Sequence, residues 1–139
     1  MKCIIRIRGQ VDINKGVGET LTRLRLGRKY TCVVLANPTK EQIGMIKRLK
    51  DFVAFGSIRK EVFENLIDAR GQKIDKSKKI DSKKVIEDLE KGKSYESVNL
   101  KPFFRLHPPR GGIKSKVHFP KGVLGDNGEK INDLVLRML

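Results

Sequence analysis

The chain begins with the run KCIIRIR, residues 2–8, and this stretch decides how the first part of the protein folds. Apolar and basic residues alternate along it, so that Cys3, Ile5 and Ile7 share one face and the two arginines share the other. A period of two is typical of a β-strand with one buried face. The run therefore predicts a half-buried strand at the start of a sheet.

Helical and strand patterns then alternate as far as residue 58. Val17 to Leu26 is predicted to form a helix that Gly27 ends, with its apolar side chains on one stripe. Tyr30 to Ala36 is nearly all apolar, which predicts a second strand at the centre of the sheet. The Thr39–Gln42 segment has the form of a capping box and begins a second helix. Val53 to Ile58 is predicted to be a third strand.

Helices dominate the remainder of the chain. Arg59–Arg70 is predicted to be helical, and a shorter helix is expected from about Asp81 to Lys91 after a polar, lysine-rich connection. A last helix is predicted at about 127–138, capped by Asp126-Asn127, with one apolar face docked on the body. The predicted organisation is thus a strand-helix-strand-helix-strand core at 1–58 and a helical extension at 59–139.

The composition predicts a polyanionic partner. Lysine and arginine number 31 against 16 acidic residues, which gives a formal net charge of +15 and a pI of about 10.1. Such a balance indicates attraction to polyanions, most often nucleic acid, and says nothing about the fold. The excess is shared by both halves of the chain, so the cationic surface is expected to belong to the folded body and not to a tail.

Several other classes of protein are disfavoured. No apolar run approaches the roughly 18–20 residues that span a bilayer, and the first residues lack the apolar core of a secretory signal, which predicts a cytoplasmic protein. Cys3 and Cys32 lie in strand-like runs and are expected to be buried thiols without a disulfide. Two cysteines and two distant histidines match no zinc spacing, so neither a metal nor a cofactor is expected.

The segment 97–125 contains no acidic residue and predicts contact with RNA. It is basic, partly aromatic and broken by Pro108-Pro109-Arg110-Gly111-Gly112, so it cannot form one continuous helix. Cations there can displace counterions from phosphates, and glycines let the main chain approach a phosphate closely. The rings, Phe103, Phe104 and Phe119, are more often core or loop anchors than platforms for bases, and we expect at most one to touch RNA.

The candidate RNA contacts combine cations on the core with residues of the acid-free segment. The second face of the first strand is expected to be in water or on RNA, and a further basic cluster follows the first predicted helix. The full set is Arg6, Arg8, Lys15, Arg23, Arg25, Arg28, Lys29, Arg105, His107, Arg110, Gly111, Gly112, Lys114, Lys116, His118 and Lys121.

Each of these features has an alternative interpretation. Gly16-Val17-Gly18 could seat a phosphate before a helix, but it lacks the signatures of nucleotide-binding loops, which favours a simple turn. Lysines between residues 73 and 84 are interrupted by acidic residues and are expected to be solvated. His107 and His118 could form an acid–base pair for RNA cleavage, but no acidic residue in the segment would orient either ring.

Four blocks of sequence together resemble one family. They are IRIRG at 5–9 with TLTRLRL at 20–26, LIDARG at 66–71, KPF at 101–103 with PRGG at 109–112, and HF at 118–119 with GEKIN at 128–132. In this order they resemble the large-ribosomal-subunit protein L thirty family in its archaeal form, whose eukaryotic counterpart is called L seven. The resemblance covers nearly the whole chain, and its most specific part is the PRGG block.

The resemblance implies an α+β, ferredoxin-like fold with a three-stranded sheet and helices on one face. It implies RNA contacts at Arg8, Arg23, Arg25 and Arg28 in the core and at Arg110, Gly111, Gly112, Lys114 and Lys116 in the segment. It further implies a place on the rRNA of the large ribosomal subunit, close to 5S rRNA and beside other ribosomal proteins, with no catalysis.

The resulting hypothesis is a structural, rRNA-binding constituent of the large subunit, bound to ribosomes in the cytoplasm. It would act by phosphate neutralisation and by recognition of RNA shape, without a membrane or small-molecule partner. Two alternatives stay open from the residues: an RNA-processing enzyme or cofactor that uses the histidines, and a DNA-compacting protein that fits the charge alone. The acid-free segment is expected to become ordered on binding RNA.

Overall fold

A computed structural model describes residues 1–9, 14–113, 117, 119 and 121–139 of the chain. The strands are β1 (Lys2–Arg6), β2 (Thr31–Leu35), β3 (Val53–Ser57), β4 (Phe104–Arg105) and β5 (Gly125–Asp126). The helices are α1 (Lys15–Arg23), α2 (Lys40–Arg48), α3 (Lys60–Arg70), α4 (Ser82–Glu90) and α5 (Ile131–Met138), the last preceded by a 3-10 turn at Gly128–Lys130.

The strands form one mixed sheet in the order β4-β2-β1-β3-β5. β1 is antiparallel to both β2 and β3, and Ile4 lies opposite Val33 on one side and Phe55 on the other. The α+β class is therefore confirmed, but β1 and not β2 is the central strand. The sheet also has five strands where three were expected, because β4, within the acid-free segment, pairs antiparallel with β2, and β5, at the end of that segment, pairs parallel with β3.

Helices cover both faces of the sheet. Alternation along β1 places Ile4 in a buried cluster with Leu21 of α1 and Ile46 of α2. Cys3 and Ile5 face the opposite way, into a larger cluster with buried side chains of α3, α4 and α5. The expectation of helices on one face of the core is correct for α1 and α2, and the helices of the predicted extension cover the second face.

α1 ends three residues before the predicted position. Leu26 N donates to Leu21 O at 2.8 Å and Arg25 N to Thr22 O at 3.0 Å, which is the hydrogen-bond pattern of a Schellman cap. Arg25 occupies the left-handed position of this cap, with a φ of 62°. The prediction that Gly27 ends the helix is wrong, because an arginine adopts the conformation in which glycine is usual. In α2, by contrast, the predicted capping box between Thr39 and Gln42 is confirmed.

α5 docks on the body through apolar and polar contacts. Its predicted apolar face, Ile131, Leu134, Val135 and Met138, is buried. The Asn132 side chain accepts from Arg59 N at 2.8 Å and donates to Ser57 O at 3.2 Å, so it ties α5 to the junction of β3 and α3. Of the two predicted caps, Asp126 accepts from Gly128 N, whereas the buried Asn127 donates to backbone oxygens instead.

The two cysteines lie side by side in the core. Cys3 and Cys32 are free and fully buried on neighbouring strands, with their Sγ atoms 3.3 Å apart, in agreement with the expected role as core thiols. The hydrogen bond to Cys3, together with burial, raises the pKa of the Cys32 thiol well above its usual value. In the described ranges, no group of His, Cys, Asp and Glu could hold a metal ion, and no helix is long and apolar enough to cross a membrane.

Candidate nucleic-acid interface

Antiparallel pairing brings most of the predicted core cations to one end of the sheet. Tyr30 N donates to Arg6 O where β1 ends and β2 begins, and Leu106 N donates to Tyr30 O where β4 ends. The loops that leave this end, together with α1, carry a group of exposed cations that we call the basic end: Arg8, Lys15, Arg23, Arg25, Arg28, Lys29 and Arg105.

Arg6 belongs to the interior and not to this exposed group. Its side chain is 2% exposed and lies on the sheet face that α1 and α2 cover. The guanidinium donates to Leu26 O at 2.7 Å, to Arg8 O at 3.0 Å and to Gly9 O at 3.3 Å. Burial lowers the pKa of Arg6. The prediction that this side chain faces water or RNA is wrong: it holds together the loops from which the exposed cations project.

The basic end contains two open clefts. The larger, of about 580 Å³, is lined by Arg6, Asn14, Lys15, Gly18, Glu19, Leu21, Thr22, Arg23 and Gly27. It brings together Lys15 and Arg23, two of the proposed RNA contacts, but Glu19 also lines it. All three nitrogens of the Arg6 guanidinium already donate to carbonyl oxygens. This cleft is therefore less favourable to a phosphate than its size suggests.

The smaller cleft, of about 270 Å³, joins two segments that are far apart in the sequence. It is lined by Thr22, Arg25, Gly27, Thr31, Phe103 and Arg105, and none of these residues is acidic. Arg105 lies opposite Thr31 in the β4–β2 pairing, and its guanidinium lies 5.0 Å from the centroid of the Phe103 ring. Stacking of this kind favours a position of the guanidinium over the Phe103 ring, in the cleft that Arg25 also lines. We call this the Arg25–Arg105 cleft.

The Pro-Arg-Gly-Gly block forms a turn that is fastened to the end of α5. Gly112 N donates to Pro109 O at 3.0 Å, and Gly111 and Gly112 have φ values of 79° and 72°. The side chain of Arg137 donates to Arg110 O at 3.0 Å and also to Gly112 O. Arg110 N in turn donates to Arg137 O. The exposed Arg110 side chain is thus presented by a braced turn in which two main-chain donors are already used.

Arg137 was not among the predicted residues. Its basic character and its place near the end of α5 were visible, and a cation near a helix C-terminus commonly interacts with backbone oxygens. What the sequence could not indicate is that the oxygens it binds belong to a turn 25 to 27 residues before Arg137 itself. Only the packing of the turn on α5 creates that contact.

His107 is engaged within the chain. Its Nδ1 lies 2.7 Å from Pro108 O, and its Nε2 contacts Leu139 O. Its backbone N donates to Met138 O at 3.2 Å, so the residue helps to dock the segment on the end of α5. Both ring nitrogens thus lie beside oxygens of the same chain.

The remaining predicted residues are distributed more widely. Lys29 lies 5.0 Å from the centroid of the Tyr30 ring, at the basic end. Lys121 is exposed but precedes β5, which pairs at the sheet edge opposite β4, so it does not join that group. Lys114, Lys116 and His118 lie outside the described residues. Phe104 is fully buried and meets Phe63 edge-to-face, as expected of a core aromatic.

Comparison with known proteins gives one consistent result. Residues 3–53 match the family described as ribosomal protein L30p/L7e. The large ribosomal subunit protein uL30 of Archaeoglobus fulgidus is 40% identical over 152 aligned residues, which cover 99% of each chain. The same protein of Ignicoccus hospitalis is 37% identical, with 98% of this chain and 96% of that one covered.

This chain belongs to the uL30 family. A third uL30, from Nanoarchaeum equitans, is 38% identical and again covers 98% of the chain. The resemblance drawn from the sequence blocks is therefore confirmed, and with it membership in a family of large-subunit ribosomal proteins. The match at 3–53 includes the cations of the basic end other than Arg105, while the full-length uL30 relatives also span the acid-free segment.

Proposed function

We propose that this protein is a structural constituent of the large ribosomal subunit and that it binds rRNA through the basic end and the braced Arg110 turn. The observation that carries the proposal is the convergence of exposed cations at one end of a rigid sheet. No ion pair with another described residue involves Arg23, Arg25, Arg28 or Arg105; the pairs Lys60–Glu90 and Lys93–Asp88 lie on other elements. Such cations are available to phosphates.

The two parts of the proposed surface are close enough to act together. The chain leaves β4 at the basic end, and Arg110 follows Arg105 by five residues, a span of at most about 18 Å when fully extended. A rigid array of this size suits neutralisation of phosphates where RNA helices approach each other. Because A-form grooves hide base edges from side chains, we expect recognition by shape and backbone.

The finer parts of the proposal rest on the resemblance. We place the protein close to 5S rRNA, among neighbouring ribosomal proteins, in ribosomes of the cytoplasm. Lys114, Lys116, His118 and Lys121 are proposed as further RNA contacts, and the division into a core at 1–58 and an extension at 59–139 remains part of the proposal.

We propose no catalytic role. The supporting geometry is that of His107, whose ring nitrogens both face backbone oxygens of the same chain. An RNA-cleaving pair would need an imidazole within hydrogen-bond reach of the reacting group. Replacement of both histidines by alanine is therefore expected to leave subunit assembly in place.

The proposal is tested by sedimentation of a cell lysate through sucrose gradients at several salt concentrations, with detection of this chain. We expect it to migrate with the large subunit and to remain there at moderate salt. For the purified protein and rRNA, neutralisation of about six phosphates predicts that log affinity falls with log salt at a slope of roughly −4 to −5. A chain that stays at the top of the gradient at low salt would refute the ribosomal assignment.

A further inference from the structure

We infer that the Arg25–Arg105 cleft is a seat for one phosphate group of the RNA backbone, with the hydroxyl of Thr31 as a third ligand. The inference rests on the proposed function and deepens it, since it picks one built pocket out of a broad basic surface. Thr31 and Phe103 were not among the residues predicted to contact RNA. Four observations about the cleft carry the inference.

The first observation is an unused polar group. Thr31 is 2% exposed, and its Oγ1 is buried without a hydrogen-bond partner among the described residues. Alternation along β2 places this side chain with Val33 on the face toward α1, where it lines the cleft. Buried hydroxyls nearly always have partners, so the Thr31 hydroxyl is a donor that the described residues leave unused. A phosphate oxygen in the cleft would supply the acceptor.

The second observation is the backbone of Arg25. This arginine holds a left-handed φ of 62° in a helix cap where glycine would be free of strain. Such conformations in residues other than glycine concentrate at functional sites, because the surrounding structure maintains them at a cost in stability. The cap itself needs no side chain at this position. The side chain, which lines the cleft, thus has no part in forming the cap.

The third observation is the fixed position of Arg105. Its place opposite Thr31 on β4 and its contact with the Phe103 ring hold the guanidinium beside the cleft. Arg25 and Arg105 make no hydrogen bond or ion pair through their guanidinium groups with any other described side chain or backbone atom. Two planar, unpaired forks at one cleft match the geometry of phosphate oxygens.

The fourth observation separates this cleft from its larger neighbour. The larger cleft includes Glu19 among its lining residues, and each of the three guanidinium nitrogens of Arg6 on its wall already donates to a carbonyl oxygen. The Arg25–Arg105 cleft has no acidic lining residue and has free donors. An anion is therefore favoured in the smaller cleft, although the larger one offers more space.

Two substitutions test the inference without endangering the fold. Thr31→Val keeps the shape and removes the unsatisfied hydroxyl, and Arg25→Gly removes the side chain and relieves the left-handed backbone. We expect both variants to melt at or above the wild-type temperature. We nevertheless expect weaker binding to a transcript of the large-subunit rRNA, by about tenfold for Arg25→Gly and roughly threefold for Thr31→Val.

The salt dependence of RNA binding distinguishes the role of Arg25 from that of Thr31. Arg25→Gly removes a phosphate-neutralising charge and should make the salt slope shallower by roughly 1, whereas Thr31→Val removes a neutral donor and should leave the slope unchanged. Lys84→Gln, which removes an exposed charge from α4, is the matched control and should bind as the wild type does.

These measurements separate failure of the phosphate seat from failure of the proposed ribosomal function. Wild-type affinity in Thr31→Val, or a lower melting temperature in that variant, would overturn the phosphate seat while leaving the ribosomal function in place. Failure of the wild-type protein itself to bind the rRNA transcript would overturn the proposed function. Titration with inorganic phosphate forms a separate arm: if free phosphate at millimolar concentration saturates the cleft and 5S and large-subunit rRNA do not compete with it, the assignment to RNA is refuted.

Discussion

The arginine side chains of this protein are of two kinds: some hold the backbone of the basic surface in place, and others are exposed on that surface. The guanidinium groups of Arg6 and Arg137 donate hydrogen bonds to backbone oxygens. They thereby hold in place the loops and the turn from which other arginines project. The side chains of Arg25 and Arg110, in contrast, are exposed to solvent. A count of basic residues alone cannot separate the two kinds, because the difference lies in burial and in hydrogen-bond partners.

Replacement of Arg137 by alanine tests whether it acts through the Arg110 turn. The change removes donors to Arg110 O and Gly112 O at an exposed site, and we expect a loss of no more than about 1 kcal/mol in the free energy of unfolding. RNA affinity should fall several-fold because the turn is no longer braced. The double variant with Arg110→Ala should bind no more weakly than Arg110→Ala alone, measured by filter binding. Fully additive losses would show instead that Arg137 contacts RNA itself.

The buried thiol pair predicts how stability depends on pH. Because the pKa of Cys32 is raised in the folded protein, its neutral thiol is favoured there, while in the unfolded chain it ionises near the usual 9.0. The contribution of this thiol to the free energy of unfolding is therefore fully present below about pH 8. It falls as pH rises through 9, at up to about 1.4 kcal/mol per pH unit. Burial raises the pKa of Tyr95 as well, which adds a similar loss above pH 10.

Urea denaturation at pH values from 7 to 10 measures this dependence. Cys32→Ala should be less stable throughout because it leaves a small void, but its free energy of unfolding should decline less between pH 8.5 and 9.5. An identical decline in the wild type and the variant would mean that another group is responsible.

Among the helices and strands, the sequence predicted those in which apolar residues recur at a regular spacing over several residues. β1, the two helices of the core and α3 to α5 were anticipated because their apolar residues recur at a regular spacing along the sequence. β4 and β5 are two residues each, too short to carry a period, and exist because neighbouring strands offer them partners. The end of α1 was misplaced because a left-handed arginine gives no sequence signal comparable to glycine.

Gly56 shows the same dependence on neighbours and allows a matched comparison. A Cβ on Gly56 would overlap the carbonyl oxygen of Gly128 and crowd Ile131, so Gly56→Ala should destabilise the protein by about 2 kcal/mol or more. Gly44 lies in α2 with nothing near its missing side chain, and Gly44→Ala should stabilise by about 0.5–1 kcal/mol. Thermal and urea denaturation would measure both changes. Equal effects of the two substitutions would contradict the close packing of the 3-10 turn on β3.

At the scale of the whole molecule, charge and resemblance predicted the class of partner, and topology determined where that partner can lie. The Arg25–Arg105 cleft could not be foreseen, because it depends on the pairing of β4 with β2 and on a threonine that has no signal in composition. The position of Arg6 was misread for a related reason: the alternation in β1 makes it seem exposed, unless the covering helices α1 and α2 and its carbonyl partners are known.

The placement of β4 and β5 has a consequence for the free protein before it meets RNA. Without them, β2 and β3 would be open sheet edges, and the apolar TCVVL run of β2 would present unpaired backbone groups to other chains. Such edges are templates for aggregation. β4 pairs with Thr31 and Cys32, and β5 pairs with Ala54 and Phe55, so each covers part of one edge. We therefore expect removal of β4, which lies in the segment proposed to bind RNA, to increase self-association of the free protein.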